Sequence, residues 1–286
     1  MIGQTVLEHF TVDARLGEGG MGEVYRAHDP RGMPVAIKRL HAEVSRSPEV
    51  VARFEREAAA QGTLSHPNIA GLYAVGVSED GAMVFAMEYV DGHDLATELE
   101  RVDVLEPQRA FGVISQLLSA LHHAHQFGFI HRDLKPENVL LARVGNTEQV
   151  KVIDFGLVKM LDDVLGAQEV QRLTQTGVIF GTPEYMAPEQ IQGLAVDTRT
   201  DLYAVGILIY ELLSGRRPYE YEEISDLWRA HLYSPIPSLS EHAQHLPPAL
   251  LSDLDGVLAG LLAKQPEERF ASAHAVRRAL SSAFGA

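Results

Sequence analysis

The sequence predicts an α+β fold, with strands gathered in the first third of the chain and helices after it. Three observations carry that expectation. Between His9 and Met87, short strand-like runs are separated by turn residues and broken once by a helical stretch. From Asp94 onward, apolar residues recur with a helical period of about 3.6. The chain has 286 residues, 46% of them hydrophobic, which suffices for a sizeable core.

Phe10 to Arg15 and Gly22 to His28 read as strands flanking a glycine-rich turn, and Pro34 to Leu40 as a third. Ser47-Pro48-Glu49 then opens a helix with a capping residue, an early proline and a first-turn carboxylate. That helix carries Val50, Phe54, Ala58 and Gln61 along one side, with Glu57 near the same face, and ends before His66-Pro67-Asn68. Tyr73 to Val77 and Ala82 to Met87 read as two more strands, and Glu88-Tyr89-Val90-Asp91-Gly92 as a connector. Beyond Asp94 the reading is mostly helical. Pro107 to Phe127 places Phe111, Ile114, Leu117, Leu118 and Leu121 at helical spacing. Asp201 to Ser214 is apolar on nearly all sides, the pattern of a helix buried in a large unit. Ile224 to Tyr233, Pro248 to Lys264 and Ser272 to Phe284 are further helices, and no internal repeat or low-complexity tract interrupts them.

Composition narrows the function classes. Lys plus Arg is 24 against 39 acidic residues, a net charge of −15. Nucleic-acid binders present clustered positive charge, so no nucleic-acid partner is expected, and no polybasic patch offers itself to anionic lipid. The acidic balance reads as a solvated surface that aids solubility. Mean hydropathy is near zero. The longest apolar run, Tyr203 to Tyr210, stops at Glu211 and falls short of the roughly 18 residues that span a bilayer. Met1-Ile2-Gly3-Gln4 lacks the basic-then-apolar order of a secretory signal. The absence of cysteine excludes disulfides and thiolate zinc sites. His122, His123 and His125 cluster near a helix end, but further ligands are missing nearby, so helix-end packing is expected of them rather than metal binding.

The chemistry concentrates in one short run, His131-Arg132-Asp133-Leu134-Lys135-Pro136-Glu137-Asn138, followed by Asp154-Phe155-Gly156. Phosphoryl transfer needs an acceptor for a hydroxyl proton and oxygen ligands for magnesium, and Asp133, Asn138 and Asp154 supply that set. Upstream stand Gly17-Glu18-Gly19-Gly20-Met21-Gly22-Glu23-Val24 and Val35-Ala36-Ile37-Lys38, and downstream stands Ala187-Pro188-Glu189. A glycine-rich turn alone is weak, because dinucleotide-binding folds share its spacing. Five motifs in this order are specific, and together they resemble the serine/threonine protein kinases of the bacterial, eukaryotic-like type.

The resemblance implies a two-lobed protein-kinase fold over residues 1–286: a small antiparallel β-sheet lobe with one helix (1–88), a hinge (88–92) and a larger, mainly α-helical lobe (93–286). The activation segment would run over 154–189. ATP and Mg2+ would be the cofactors, with Mn2+ as an acceptable substitute for the metal, and protein serine or threonine hydroxyls the acceptors. Asp133 would take the hydroxyl proton. Lys135 would neutralise the transferring phosphoryl group, a role of serine/threonine rather than tyrosine kinases. Lys38 would pair with the α- and β-phosphates and with Glu57, for which Glu55 is a rival. Asp154 and Asn138 would hold the metal. The nucleotide would lie against Leu16, Gly17, Glu18, Gly19, Gly20, Met21, Gly22, Glu23 and Val24. Ala36, the gatekeeper Met87 and Leu140 would complete the adenine sandwich, with Glu88 and Val90 offering backbone groups. His131 and Phe155 would belong to a packed column. Glu189 with Arg269, and Asp201 with the catalytic-loop backbone, would be scaffold contacts.

Gln61 departs from the family pattern, which places an apolar residue there, so the helix carrying Glu57 is expected to be looser at rest. Thr174 and Thr176 are expected to be autophosphorylated between molecules, with a homodimer as the vehicle. Arg132 would clamp one phosphate, and Thr182 would hydrogen-bond toward Asp133 and Lys135. Two alternatives have to be met. A small-molecule kinase of related fold would lack the Gly181-Thr182-Pro183-Glu184-Tyr185 platform before Ala-Pro-Glu. A pseudokinase scaffold would have lost Lys38, Asp133 or Asp154. The expected location is the cytoplasm, where ATP is, either as an independent chain or as the cytoplasmic domain of a longer membrane-anchored one.

Overall fold

The computed structural model describes residues 1–19, 22–40, 62–78, 81–155 and 182–285. The helix expected after Ser47, with Glu55, Glu57 and Gln61, lies outside the described residues, as do Gly20, Met21, Thr174 and Thr176. The described chain forms two compact units, residues 1–91 and residues 92–155 with 182–285.

The first unit is a six-stranded antiparallel sheet: β1 (Thr5–Val6), β2 (Phe10–Gly19), β3 (Gly22–His28), β4 (Pro34–Leu40), β5 (Leu72–Val77) and β6 (Met83–Glu88), in the order β1-β2-β3-β4-β6-β5. Strand β2 runs on to Gly19, past the Arg15 at which the apolar alternation stops, because its far half is ladder-paired to β3 rather than packed. Pairing fixes which side chains share a face, since directly opposed residues point the same way and neighbours along a strand alternate. Tyr25 opposes Ile37, Ala27 opposes Val35, and Ala86 opposes Ile37. Those residues, with Val12 and Val84, form the buried core on one face. Val24 opposes Lys38 and Ala36 opposes Met87, which sets all four on the other face.

The second unit is mainly helical, but it is built around a small sheet that the helical periodicity does not announce. Strands β7 (Gly92–Asp94), β8 (Val139–Val144) and β9 (Thr147–Val152) pair in that order. The helices are α1 (Leu95–Val102), α2 (Pro107–Gln126), α3 (Pro188–Ile191), α4 (Thr198–Ser214), α5 (Ile224–Tyr233), α6 (Pro248–Leu261) and α7 (Ala273–Phe284). Helix α2 starts where Glu106 accepts a hydrogen bond from the Arg109 amide and Pro107 occupies a first-turn position that needs no amide donor. Its Phe111 stacks on Phe284 of α7 at 5.0 Å between ring centroids. Arg109 also reaches Glu98 on α1 and Glu148 on β9, tying three elements by one guanidinium. Helix α4 is capped by Asp197 and ended by Gly215 at φ +71, the left-handed position glycine adopts freely. Between those ends Tyr203 and Tyr210 are fully buried, as a helix apolar all round requires. Among the described residues, no helix is long and apolar enough to cross a membrane.

Candidate active site

Strands β8 and β9 explain how Asn138 and Asp154 come together. Val139 opposes Val152 in an antiparallel pair, so the residue before β8 faces the residue after β9. The Ile153 amide donates to the Asn138 carbonyl at 3.0 Å, and Asp154 is the next residue. The hairpin is packed on one face, with buried Val139 and Leu141 opposite Val152 and Val150 across a turn at Gly145. The Asn138 side chain is buried, and its amide Nδ2 donates to the Asp133 carbonyl at 2.7 Å. That bond fixes the amide so that its oxygen is the end left to act as a ligand.

Asp133 sits on the loop before Asn138. Its Oδ1 accepts from the Thr182 amide at 3.0 Å and from the Thr182 hydroxyl at 3.2 Å. Its Oδ2 lies 3.7 Å from Lys135 Nζ. Two donors on one oxygen fix the rotation of the carboxylate and leave Oδ2 on the lysine side. Thr182 thus reaches Asp133 directly and Lys135 only through it.

The loop backbone is fixed from beneath. Asp201 on α4 is 1% exposed. Its Oδ2 accepts from the His131 amide at 2.9 Å and its Oδ1 from the Arg132 amide at 3.0 Å. His125 Nε2 also bonds Asp201 Oδ2, at 2.7 Å. Burial alone would raise this carboxyl, but the His125 bond and the charges and amide near it bring it below the ordinary aspartate value. His131 turns its Nε2 to the Ile153 carbonyl at 2.9 Å and packs edge-to-face with Phe155, 4.8 Å between centroids. Arg132 and Asp154 both take left-handed backbone conformations, φ +69 and +61, that non-glycine residues adopt only when held there. Where the sequence suggests only helix-end packing for His125, the structure gives it this polar partner. Glu189 and Arg269 form a buried bidentate pair at 2.7 Å on each side, and Thr200 donates to Glu189 Oε1 at 2.7 Å.

In the first unit, Lys38 is buried on the face it shares with Val24, Ala36 and Met87, while Leu16 on β2 is exposed. Among the described residues, a Cβ added at Gly17 or Gly19 would meet nothing within 4 Å, whereas one at Gly22 would lie 2.1 Å from the Arg39 carbonyl. Gly22 is therefore demanded by the β3–β4 approach, and Gly17 and Gly19 leave open space beside their backbone. Glu23 pairs with Arg39 at 3.4 Å, and Glu88 holds Gly71 through both its backbone and its carboxylate. Leu140 on β8 pairs with Asp94 and Lys151.

A family model described as the protein kinase domain matches residues 10–280. The chain belongs to the protein kinase family. Protein kinases use ATP and a divalent cation; the amide oxygen of Asn138 and the carboxylate of Asp154 are donors of the kind that suits a hard cation. The chain is 40% identical over 285 residues to the serine/threonine-protein kinase pkn3 of Myxococcus xanthus, covering 98% of this chain and 51% of that protein. It is 38% identical over 267 residues to the serine/threonine-protein kinase PknB of Mycobacterium tuberculosis, covering 92% and 41%. The crystal structure of the Mycobacterium tuberculosis PknI kinase domain superposes with a TM-score of 0.76 at 28% identity, over 99% of both chains. The chain spans about half or less of the length of these curated relatives. The similarity supports the kinase fold and the serine/threonine class and lends nothing to a small-molecule kinase or a scaffold.

Proposed function

We propose that this kinase domain transfers the γ-phosphoryl group of ATP, with Mg2+, to serine and threonine hydroxyls of proteins. Asp133 accepts the hydroxyl proton as the new oxygen–phosphorus bond forms and the bond to the ADP oxygen breaks. Thr182 orients Asp133 and shapes the acceptor position, and Lys135 offsets charge on the group in transfer. Lys38 neutralises nucleotide phosphate charge, and Asn138 and Asp154 present oxygens to the metal. Magnesium, when bound, would offset the negative charge of the phosphates that otherwise repels the incoming hydroxyl oxygen. The purine would be taken by Leu16, Val24, Ala36, Met87 and Leu140, with backbone groups of Glu88 and Val90. The observation that carries this reading is the pairing of Asp133 with Thr182 on one oxygen and Lys135 near the other.

Thr174 and Thr176 are the autophosphorylation sites in this reading, and Arg132 holds one phosphate bidentately, ordering the segment that follows Asp154. The domain acts on the cytoplasmic side, where ATP is, and pairs transiently with a second copy during autophosphorylation. The test is incubation with labelled ATP, Mg2+ and a generic protein acceptor, followed by phosphoamino-acid analysis and phosphopeptide mapping. Label on serine and threonine, including Thr174 or Thr176, is the expected result. Label confined to tyrosine, or to a small molecule, would overturn the reading. Calorimetry with a non-hydrolysable ATP analogue should further show nucleotide-dependent Mg2+ binding lost in Asp154→Ala.

A further inference from the structure

Gln190, one residue past Ala187-Pro188-Glu189, spans two functional segments with one side-chain amide. Its Oε1 accepts from the Ala187 amide at 3.0 Å, and its Nε2 donates to the Arg132 carbonyl at 2.7 Å. The first partner is a donor and the second an acceptor, so only one orientation of the amide satisfies both.

The Arg132 carbonyl belongs to the peptide group whose nitrogen is that of Asp133. Holding it fixes the plane from which the Asp133 side chain departs. Asp201 already holds the amides of His131 and Arg132, so Gln190 supplies the next anchor along the same backbone. Arg132 needs anchoring, since its φ of +69 is unfavourable for an arginine. At its other end Gln190 grips Ala187, five residues past Thr182, which bonds the Asp133 carboxylate. The peptide plane and the carboxylate of Asp133 are thereby fixed by two side chains of the same segment.

We propose that Gln190 is a positioning residue for Asp133: by bridging Ala187 and Arg132, it makes correct seating of the 182–190 segment set the orientation of the proton acceptor. This rests on the kinase reading above. A loop displaced from Ala187 would release the Arg132 carbonyl, so the catalytic base would be oriented only when the acceptor platform is in place.

Two variants separate this role from simple helix capping. Gln190→Glu keeps an oxygen for the Ala187 amide and loses the donor to Arg132, whereas Gln190→Met loses both. Both variants should lower kcat about tenfold, the worth of one lost hydrogen bond in an oriented site, with KM for ATP within about twofold. Once protonated, the carboxyl introduced by Gln190→Glu can donate again to the Arg132 carbonyl. The Gln190→Glu activity relative to wild type should therefore climb as pH falls from 8 to 5.5, while the Gln190→Met ratio stays flat. Amide hydrogen exchange of the 130–138 segment, read by mass spectrometry, should speed up in both variants at pH 8. A kcat within twofold of wild type in both variants, a flat ratio for Gln190→Glu, or unchanged exchange in Gln190→Met would overturn the proposal. The exchange measurement stands whatever the enzyme does, so a wild-type protein without kinase activity would sink the kinase reading while the clamp is still decided.

Discussion

Around Asp133, three backbone groups of His131 and Arg132 are held by side chains 58 to 70 residues away in sequence. The strand pair bearing Gly17, Gly19 and Gly22 is closed instead by its ladder neighbours and by surface ion pairs such as Arg15 with Glu18. The first arrangement is long-range and, through Asp201, charge-assisted; the second is local and, along the far half of β2, solvent-facing. In the proposed function the two regions have different tasks. Asp133, as the proposed proton acceptor, has to keep one orientation, and its backbone is fixed through a carboxylate near the start of a largely buried helix. Gly17 and Gly19, as the proposed phosphate cradle, need only bare backbone with space beside it.

The strongest way to break that contrast is Asp201→Ala. It strips the acceptor from two backbone amides and from His125 around a carboxylate that is itself buried, and should lower unfolding stability by about 3–5 kcal/mol. Urea denaturation would show it as a shifted midpoint; a shift equivalent to less than about 1 kcal/mol would mean the loop holds itself.

The glycines offer a test inside the first unit. Gly22→Ala forces a methyl against the Arg39 carbonyl and should destabilise by about 1–3 kcal/mol. Gly17→Ala places its methyl in open space and should stay within about 0.5 kcal/mol, while raising KM for ATP. Equal stability losses in the two variants would erase the distinction between a glycine required by packing and one proposed to serve binding.

A smaller effect is expected from pH, and it belongs to the second unit. His231 is wholly buried beside Tyr203 and Tyr219, and burial, helped by the charges of Lys264 and Arg217, pushes its imidazole down to about 3. Below about 6.5 the unfolded chain takes up a proton that the folded protein refuses, so stability falls as pH drops through that value. The slope reaches about 1.4 kcal/mol per pH unit at most. Between pH 6.5 and 5, before most carboxylates titrate, His231→Phe should flatten it in urea melts, and an unchanged slope would assign the acid sensitivity elsewhere.

Much of this is legible in the sequence. The runs at Gly22–His28, Pro34–Leu40 and Ile224–Tyr233 match their elements because each is a short segment whose own alternation or period decides it. Strands β8 and β9 escape a reading of pattern, because their alternation is brief and sits inside a stretch dominated by helices. The placement of Asn138 beside Asp154 depends on that hairpin, so the motif spacing is visible while the reason for it is not. His125 and Gln190 escape for a different reason. Their partners lie 76 and 58 residues away, and no local pattern announces a side chain whose work is to hold a distant peptide group. Asp201 is recognisable only because the family resemblance points to it.

The most direct measurement compares wild type with Asp133→Asn in Mg2+ and labelled ATP with a protein acceptor, alongside thermal unfolding of both. The substituted side chain keeps an oxygen for the two Thr182 donors, so the fold should survive with its unfolding midpoint unchanged. Transfer to serine and threonine should fall by about 10²–10⁴, the worth of a positioned general base. A variant that folds normally and retains activity within about tenfold of wild type would contradict the assignment of Asp133 as the proton acceptor.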